Sequence, residues 1–125
     1  MKLNIQDIPI CLINLPERKE RLERTKLQLN SFYSCESYNL NLIEGVRHRQ
    51  AMKGIATAHM NAIRLAKENN WEYVVVCEDD VHFQSIDSRI HADKCFENAP
   101  NDFDILLSGV YTSNTLKQYN ECFVS

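Results

Sequence analysis

No stretch of the 125 residues approaches the ~20 consecutive apolar side chains that a membrane helix needs, and the N-terminus lacks the charged-then-apolar pattern of a secretory leader. The five cysteines, Cys11, Cys35, Cys77, Cys95 and Cys122, are odd in number and irregularly spaced, with no C-x-x-C pair. That excludes a zinc knuckle and a thioredoxin-like site, and it fits a reducing compartment. With three glycines in the whole chain there is no G-x-G-x-x-G and no G-K-[ST], so neither of those nucleotide-binding motifs is available. Internal repeats, low-complexity tracts and linkers are also missing. The expectation is one cytoplasmic domain over 1–125, without a transmembrane segment.

What is present is ordinary in amount and uneven in placement. Hydrophobic residues make up 44% and charged residues 25%, the proportions of a soluble globular chain. A net charge of −3 argues against a general nucleic-acid binder. Residues 1–75 hold eleven Lys/Arg against eight Asp/Glu, a balance of +3, whereas residues 76–125 hold three against nine, a balance of −6. Such a division suits an anionic ligand held through a metal, although surface charge also segregates by chance.

In chain order, Ile8 to Leu15 is apolar nearly throughout and reads as a central strand with Pro9 at its start. Pro16 marks a turn, and Glu17 to about Phe32 reads as a charged helix with Glu17/Arg21 and Glu20/Arg24 at the favourable i,i+4 spacing. Tyr38 to Glu44 alternates at first and reads as a second strand, stopped by Gly45. Arg47, His48 and Arg49 lie in a basic loop. Gly54 precedes a helix running to Asn69, whose apolar stripe reads as Met52, Ile55, Ala56, His59, Ile63 and Ala66. Tyr73 to Cys77 is a β-branched run suited to a strand buried on both faces. A short helix is expected over Arg89 to Asn98. Buried strands are expected at Phe103 to Leu107 and, cut short by the chain's end, at Cys122 to Ser125. Strands alternating with helices predict an α/β sandwich with a mostly parallel sheet.

Glu78, Asp79 and Asp80 follow the Tyr73–Cys77 run directly. Alternation sends Glu78 and Asp80 to one side and Asp79 to the other. Adjacent carboxylates at the end of a buried strand repel one another, and a divalent cation offsets that repulsion, with hard oxygen ligands suiting Mg²⁺ or Mn²⁺. The plain alternative is a solvated strand-to-turn junction. The position favours a ligand, because open α/β sheets bind theirs outside the carboxyl ends of the strands.

Four segments together resemble the family 25 glycosyltransferases, which include lipopolysaccharide glycosyltransferases and procollagen galactosyltransferase-like domains. Ile13-Asn-Leu-Pro-Glu-Arg-Lys-Glu-Arg21 is similar to that family's opening. Gly54-Ile-Ala-Thr-Ala-His59 is similar to its Gly-to-His segment, with Ala58 where the family has serine. Val75-Val-Cys-Glu-Asp-Asp-Val81 is similar to its acidic segment, and Phe103-Asp-Ile-Leu-Leu-Ser-Gly109 to a later strand. The resemblance implies a GT-A-like, Rossmann-like nucleotide-binding sandwich with its C-terminal part shortened. It also implies a D-x-D-like motif at Glu78-Asp79-Asp80 and a UDP-sugar donor.

By the same resemblance Asp80, with Glu78, would hold Mn²⁺ or Mg²⁺ bridging the donor's phosphates. Asn14, Leu15, Pro16, Arg18, Glu78 and Asp79 would contact the nucleotide. The implied reaction is transfer of a hexose to a carbohydrate or protein hydroxyl, on a glycan, a lipopolysaccharide or a hydroxylysine-type acceptor. No catalytic base can be named from the residues. The alternative is a non-catalytic sugar-nucleotide- or metal-binding module, which the chain's length favours, with an open sheet edge buried by homodimerisation.

Several residues have plainer roles beside these. Asp79, pointing away from its neighbours, suits a brace on an adjacent loop. His59 within an apolar stripe reads first as a hydrogen-bonded core histidine. Arg18, His48 and Arg49 read equally as surface residues, and His82 as an ordinary strand-end residue rather than a third metal ligand. A receiver-like domain using Asp79 and Asp80 would need a further aspartate after a later strand, where Ser108-Gly109 stands instead.

Overall fold

A computed structural model describes residues 3–33 and 37–108. After a short 3-10 turn at Ile5–Asp7, the elements are β1 (Ile10–Asn14), α1 (Lys19–Tyr33), β2 (Leu40–Glu44), α2 (Ala51–Glu68), β3 (Val75–Glu78) and α3 (Ser88–Glu97). The chain divides into two compact units, Gln6–Ile86 and a second formed by Met1–Ile5 with Asp87–Ser125.

The first unit is α/β. Its three strands are all parallel in the order β2-β1-β3, with Ile10 opposite both Leu40 and Val75. Chain connectivity runs from β1 outward to β2 and then back across β1 to β3. Right-handed crossovers in opposite directions put their helices on opposite faces of a sheet. The side chains agree with this. Cys11, Ile13 and Ile43 pack with Ala58 and Ala62 of α2, whereas Asn14 bonds Asp79, whose backbone accepts from Thr25 of α1. β1 is the central strand and is buried at all five positions. Ile10 and Leu12 are fully enclosed, each worth ~1.5–3 kcal/mol of burial. Pro9 precedes the strand and spends only its carbonyl, which accepts from the Val75 N–H at 2.9 Å.

α2 departs from its expected face. Its buried row is Gly54, Ala58, Ala62 and Ala66 at strict i,i+4 spacing, while Met52, Ile55, Ala56 and Ile63 are exposed. The helix seats its smallest side chains on the sheet, so its backbone comes close and the larger apolar groups are left at the flanks. Gly54 lies within the helix rather than ahead of it. A Cβ at Gly54 would sit well inside van der Waals contact with the Val46 carbonyl oxygen, so the glycine lets α2 lie directly against the loop after β2. Asn70, with φ of 55°, takes the left-handed turn that leads out of α2 toward β3.

β3 also differs from the reading of a strand buried on both faces. Val75, Val76 and Cys77 are half-buried, and β3 flanks β1 rather than occupying the centre of the sheet.

In the second unit α3 carries an Arg89–Asp93 pair at 2.8 Å, and Leu3 donates its N–H to the Phe96 carbonyl at 3.5 Å. Phe103 to Leu107 forms no strand, and Ile105 and Leu107 are largely exposed. An apolar run becomes a strand only where another strand completes its ladder, and none among the described residues pairs with it. The strand expected at Cys122 to Ser125 lies outside the described residues, as do Cys35 and Cys122.

Candidate functional site

The carboxyl ends of β1, β2 and β3 open on one side of the sheet, where the chain leaves each strand for a loop. The order β2-β1-β3 sends the connection from β1 to one side of the sheet and brings the next back over the other, an arrangement that leaves a crevice beyond the strand ends. A cleft of about 240 Å³ lies there, lined by Ile13, Leu15, Gly45, Val46, Gly54, Ile55 and Ala58 together with Arg18, Arg21, Glu78, Asp79 and Asp80. Its lining thus combines apolar residues with two arginines and three carboxylates.

The three acids separate as alternation predicts. Glu78 and Asp80 are exposed, whereas the Asp79 side chain retains only 12% of its exposure. Asp79 accepts from Asn14 Nδ2 through Oδ2 at 2.9 Å, and its Oδ1 lies 3.5 Å from the Arg21 guanidinium. Its main-chain carbonyl accepts from the Thr25 hydroxyl at 2.8 Å. The following loop is held as well. Phe83 donates its N–H to Gln28 Oε1 at 3.2 Å, and its ring stacks on Phe32 at a centroid distance of 4.3 Å. Arg21, Thr25 and Gln28 lie on one face of α1 at i, i+4 and i+7, so a single helix face straps the acidic loop to the sheet.

Sequence reasoning missed that strap. It assigned Arg21 to an intrahelical pair with Glu17, but α1 begins at Lys19, and Glu17, in the preceding turn, pairs with Arg47 beyond β2. The available signal was a polar row, Arg21, Thr25 and Gln28, on a helix that must pack against something.

Of the other predicted residues, Leu15 and Arg18 line the cleft beside Glu78 and Asp80. Asn14 is buried and spends its amide on Asp79 and on the Arg18 carbonyl at 3.1 Å, which fixes the turn between β1 and α1. Pro16 is exposed in that turn. His59 is half-buried on α2. His48 uses Nδ1 to accept the Gln50 N–H at 3.0 Å, just ahead of α2, and Arg49 is exposed.

No family model, curated protein or solved structure matches the chain. Its chemistry therefore rests on the donor set itself. Among the described residues no three His, Cys, Asp or Glu side chains form a group that could hold a metal ion.

Cys77, next to Glu78, is not a candidate nucleophile. The residue as a whole is only half-buried, yet its thiol is closed in. Burial, and then the charges of Cys11, Glu78 and Asp80, push its pKa from 9.0 up to about 12. A thiol so far from ionising is inert. No helix among the described residues is long and apolar enough to cross a membrane.

Proposed function

We propose that this cleft binds a nucleoside diphosphate sugar through a divalent cation, and that the chain is a metal-dependent, GT-A-like hexosyltransferase using a UDP-sugar and a hydroxyl acceptor. The observation that carries the reading is the division of the acidic tripeptide. Asp79 is engaged in holding the loop, which leaves Glu78 and Asp80 exposed in a cleft that is also lined by apolar residues.

In this reading Asp80 and Glu78 hold Mn²⁺ or Mg²⁺, which when bound offsets the charge that grows on a departing diphosphate. In the same reading the apolar lining side chains Leu15, Val46 and Ile55 take the flat base. Arg18 and Arg21 add positive charge at the phosphate end. Two carboxylates suffice because the phosphates complete the coordination. The resemblance of three segments, Ile13–Arg21, Gly54–His59 and Val75–Val81, to family 25 glycosyltransferases supports the same reading.

The test is calorimetric titration of UDP with and without Mn²⁺, on the wild type and on Asp80→Ala. Binding that requires the metal and disappears in the variant is the expected result. Wild-type protein that binds UDP under neither condition removes the proposal. UDP-sugar that is bound but never consumed in the presence of hydroxyl acceptors would make the chain a binding module rather than a transferase.

A further inference from the structure

A further cleft, of about 300 Å³, shares Arg21, Asp79 and Asp80 with the first and is also lined by Arg24, Thr25, Gln28, Val81 and His82. Most of its polar groups are already engaged in the strap. Arg21 faces Asp79, Thr25 donates to the Asp79 carbonyl, and Gln28 accepts from Phe83. Three side chains are not. Arg24, Asp80 and His82 are exposed and make no hydrogen bond or ion pair with any described residue. Arg24 stands in the same row of α1 as the strap residues, yet its guanidinium holds nothing among them. Asp80 borders both clefts.

Arg24 and His82 line this cleft alone, whereas Asp80 is shared with the first, and a guanidinium, an imidazole and a carboxylate together are complementary to a ligand with an oxyanion and a hydroxyl. Guanidinium binds phosphate or carboxylate through paired, charge-assisted N–H donors. A carboxylate accepts a hydroxyl proton readily. We propose that the second cleft binds an anionic, polyhydroxylated molecule, with its phosphate or carboxylate against Arg24 and His82 and a hydroxyl toward Asp80. Resting on the donor-site reading above, this makes the hydroxyl acceptor an acidic sugar rather than a neutral one. The shared residue Asp80 sets its hydroxyl at the boundary between the two clefts.

The experiment is titration of the full chain, without UDP or metal, followed by calorimetry and by amide NMR shifts. The probes are glucose 6-phosphate, glucuronate and glucose. Either acidic sugar is expected to bind at least about tenfold more tightly than glucose and to shift the Gln28, Val81 and His82 resonances. Arg24→Gln is expected to cost about tenfold for the acidic sugars, whereas Lys67→Gln, which removes an exposed charge on α2, costs nothing. The two acidic probes separate phosphate from carboxylate recognition.

Equal binding of glucose, or an Arg24→Gln variant with unchanged affinity, overturns the proposal. So does displacement of the acidic sugar by UDP alone, which would put it in the first cleft. A parallel UDP–Mn²⁺ titration keeps the two readings apart: a chain that binds UDP–Mn²⁺ but no acidic sugar retains its donor site and loses this one.

Discussion

Removing the Asp79 side chain tests whether the acidic tripeptide divides its work as the structure indicates. In Asp79→Ala the Asn14 amide, almost wholly buried, loses the acceptor 2.9 Å away but keeps the Arg18 carbonyl at 3.1 Å. A buried donor left half-satisfied costs roughly 1–2 kcal/mol, the lower part of the range for an unmade bond. The Arg21 pair adds at most about 1 kcal/mol, because its separation is 3.5 Å and the arginine side chain is 42% exposed. Thr25 bonds the main-chain carbonyl and is untouched. The expected loss is therefore about 2 kcal/mol.

For a chain of this size that lowers the urea midpoint by roughly 1 M with the slope unchanged. Asp79→Asn keeps an oxygen for Asn14 and should lose no more than about 1 kcal/mol, the ion-pair part. Asp80→Ala touches none of these bonds and should stay within about 0.5 kcal/mol of wild type. Metal-dependent UDP binding should show the reverse order, abolished in Asp80→Ala and only weakened in Asp79→Ala. An Asp79→Ala protein as stable as wild type, or an Asp80→Ala protein equally destabilised, would refute the division.

Two further outcomes are expected. Alanine in place of a glycine inside a helix ordinarily stabilises by up to ~1 kcal/mol, but at Gly54 the new methyl group meets the Val46 carbonyl. Gly54→Ala should instead destabilise by about 1–3 kcal/mol in urea denaturation, and a stabilised variant would show that α2 does not lie against that loop. Cys77 holds its proton from 9.0, where an unfolded chain begins to release it, up to about 12. A folded pKa raised in this way contributes stability that is complete below pH 9 and lost as pH rises toward 12. At pH 9 iodoacetamide should alkylate Cys77 far more slowly in the folded protein than in urea, as mapped by mass spectrometry, and equal rates would exclude an enclosed thiol.

The features readable in the sequence are those that depend on local order. The apolar run at Ile8 to Leu15, the helical spacing after Pro16 and the apolar step into Glu78 each mark an element near its observed position, because periodicity is a property of neighbouring residues. Alternation along a strand likewise sorts Asp79 from Glu78 and Asp80 on the order of residues alone. Failures begin where a residue's role is set by what lies opposite it. The apolar stripe on α2 points to Met52, Ile55 and Ile63, but the sheet surface of Cys11, Ile13 and Ile43 accepts a helix at close range only through Gly54, Ala58 and Ala62. The run at Phe103 to Leu107 has the composition of a strand and, among the described residues, no ladder to complete.

The strap on the acidic loop joins Thr25 to Asp79 and Gln28 to Phe83, pairs separated by 54 and 55 positions, so no window on the sequence contains both partners. Local pattern can therefore say which residues are carboxylates at a strand end. Long-range contact supplies the partners that hold Asp79, namely Asn14, Arg21 and Thr25, and leaves Glu78 and Asp80 exposed.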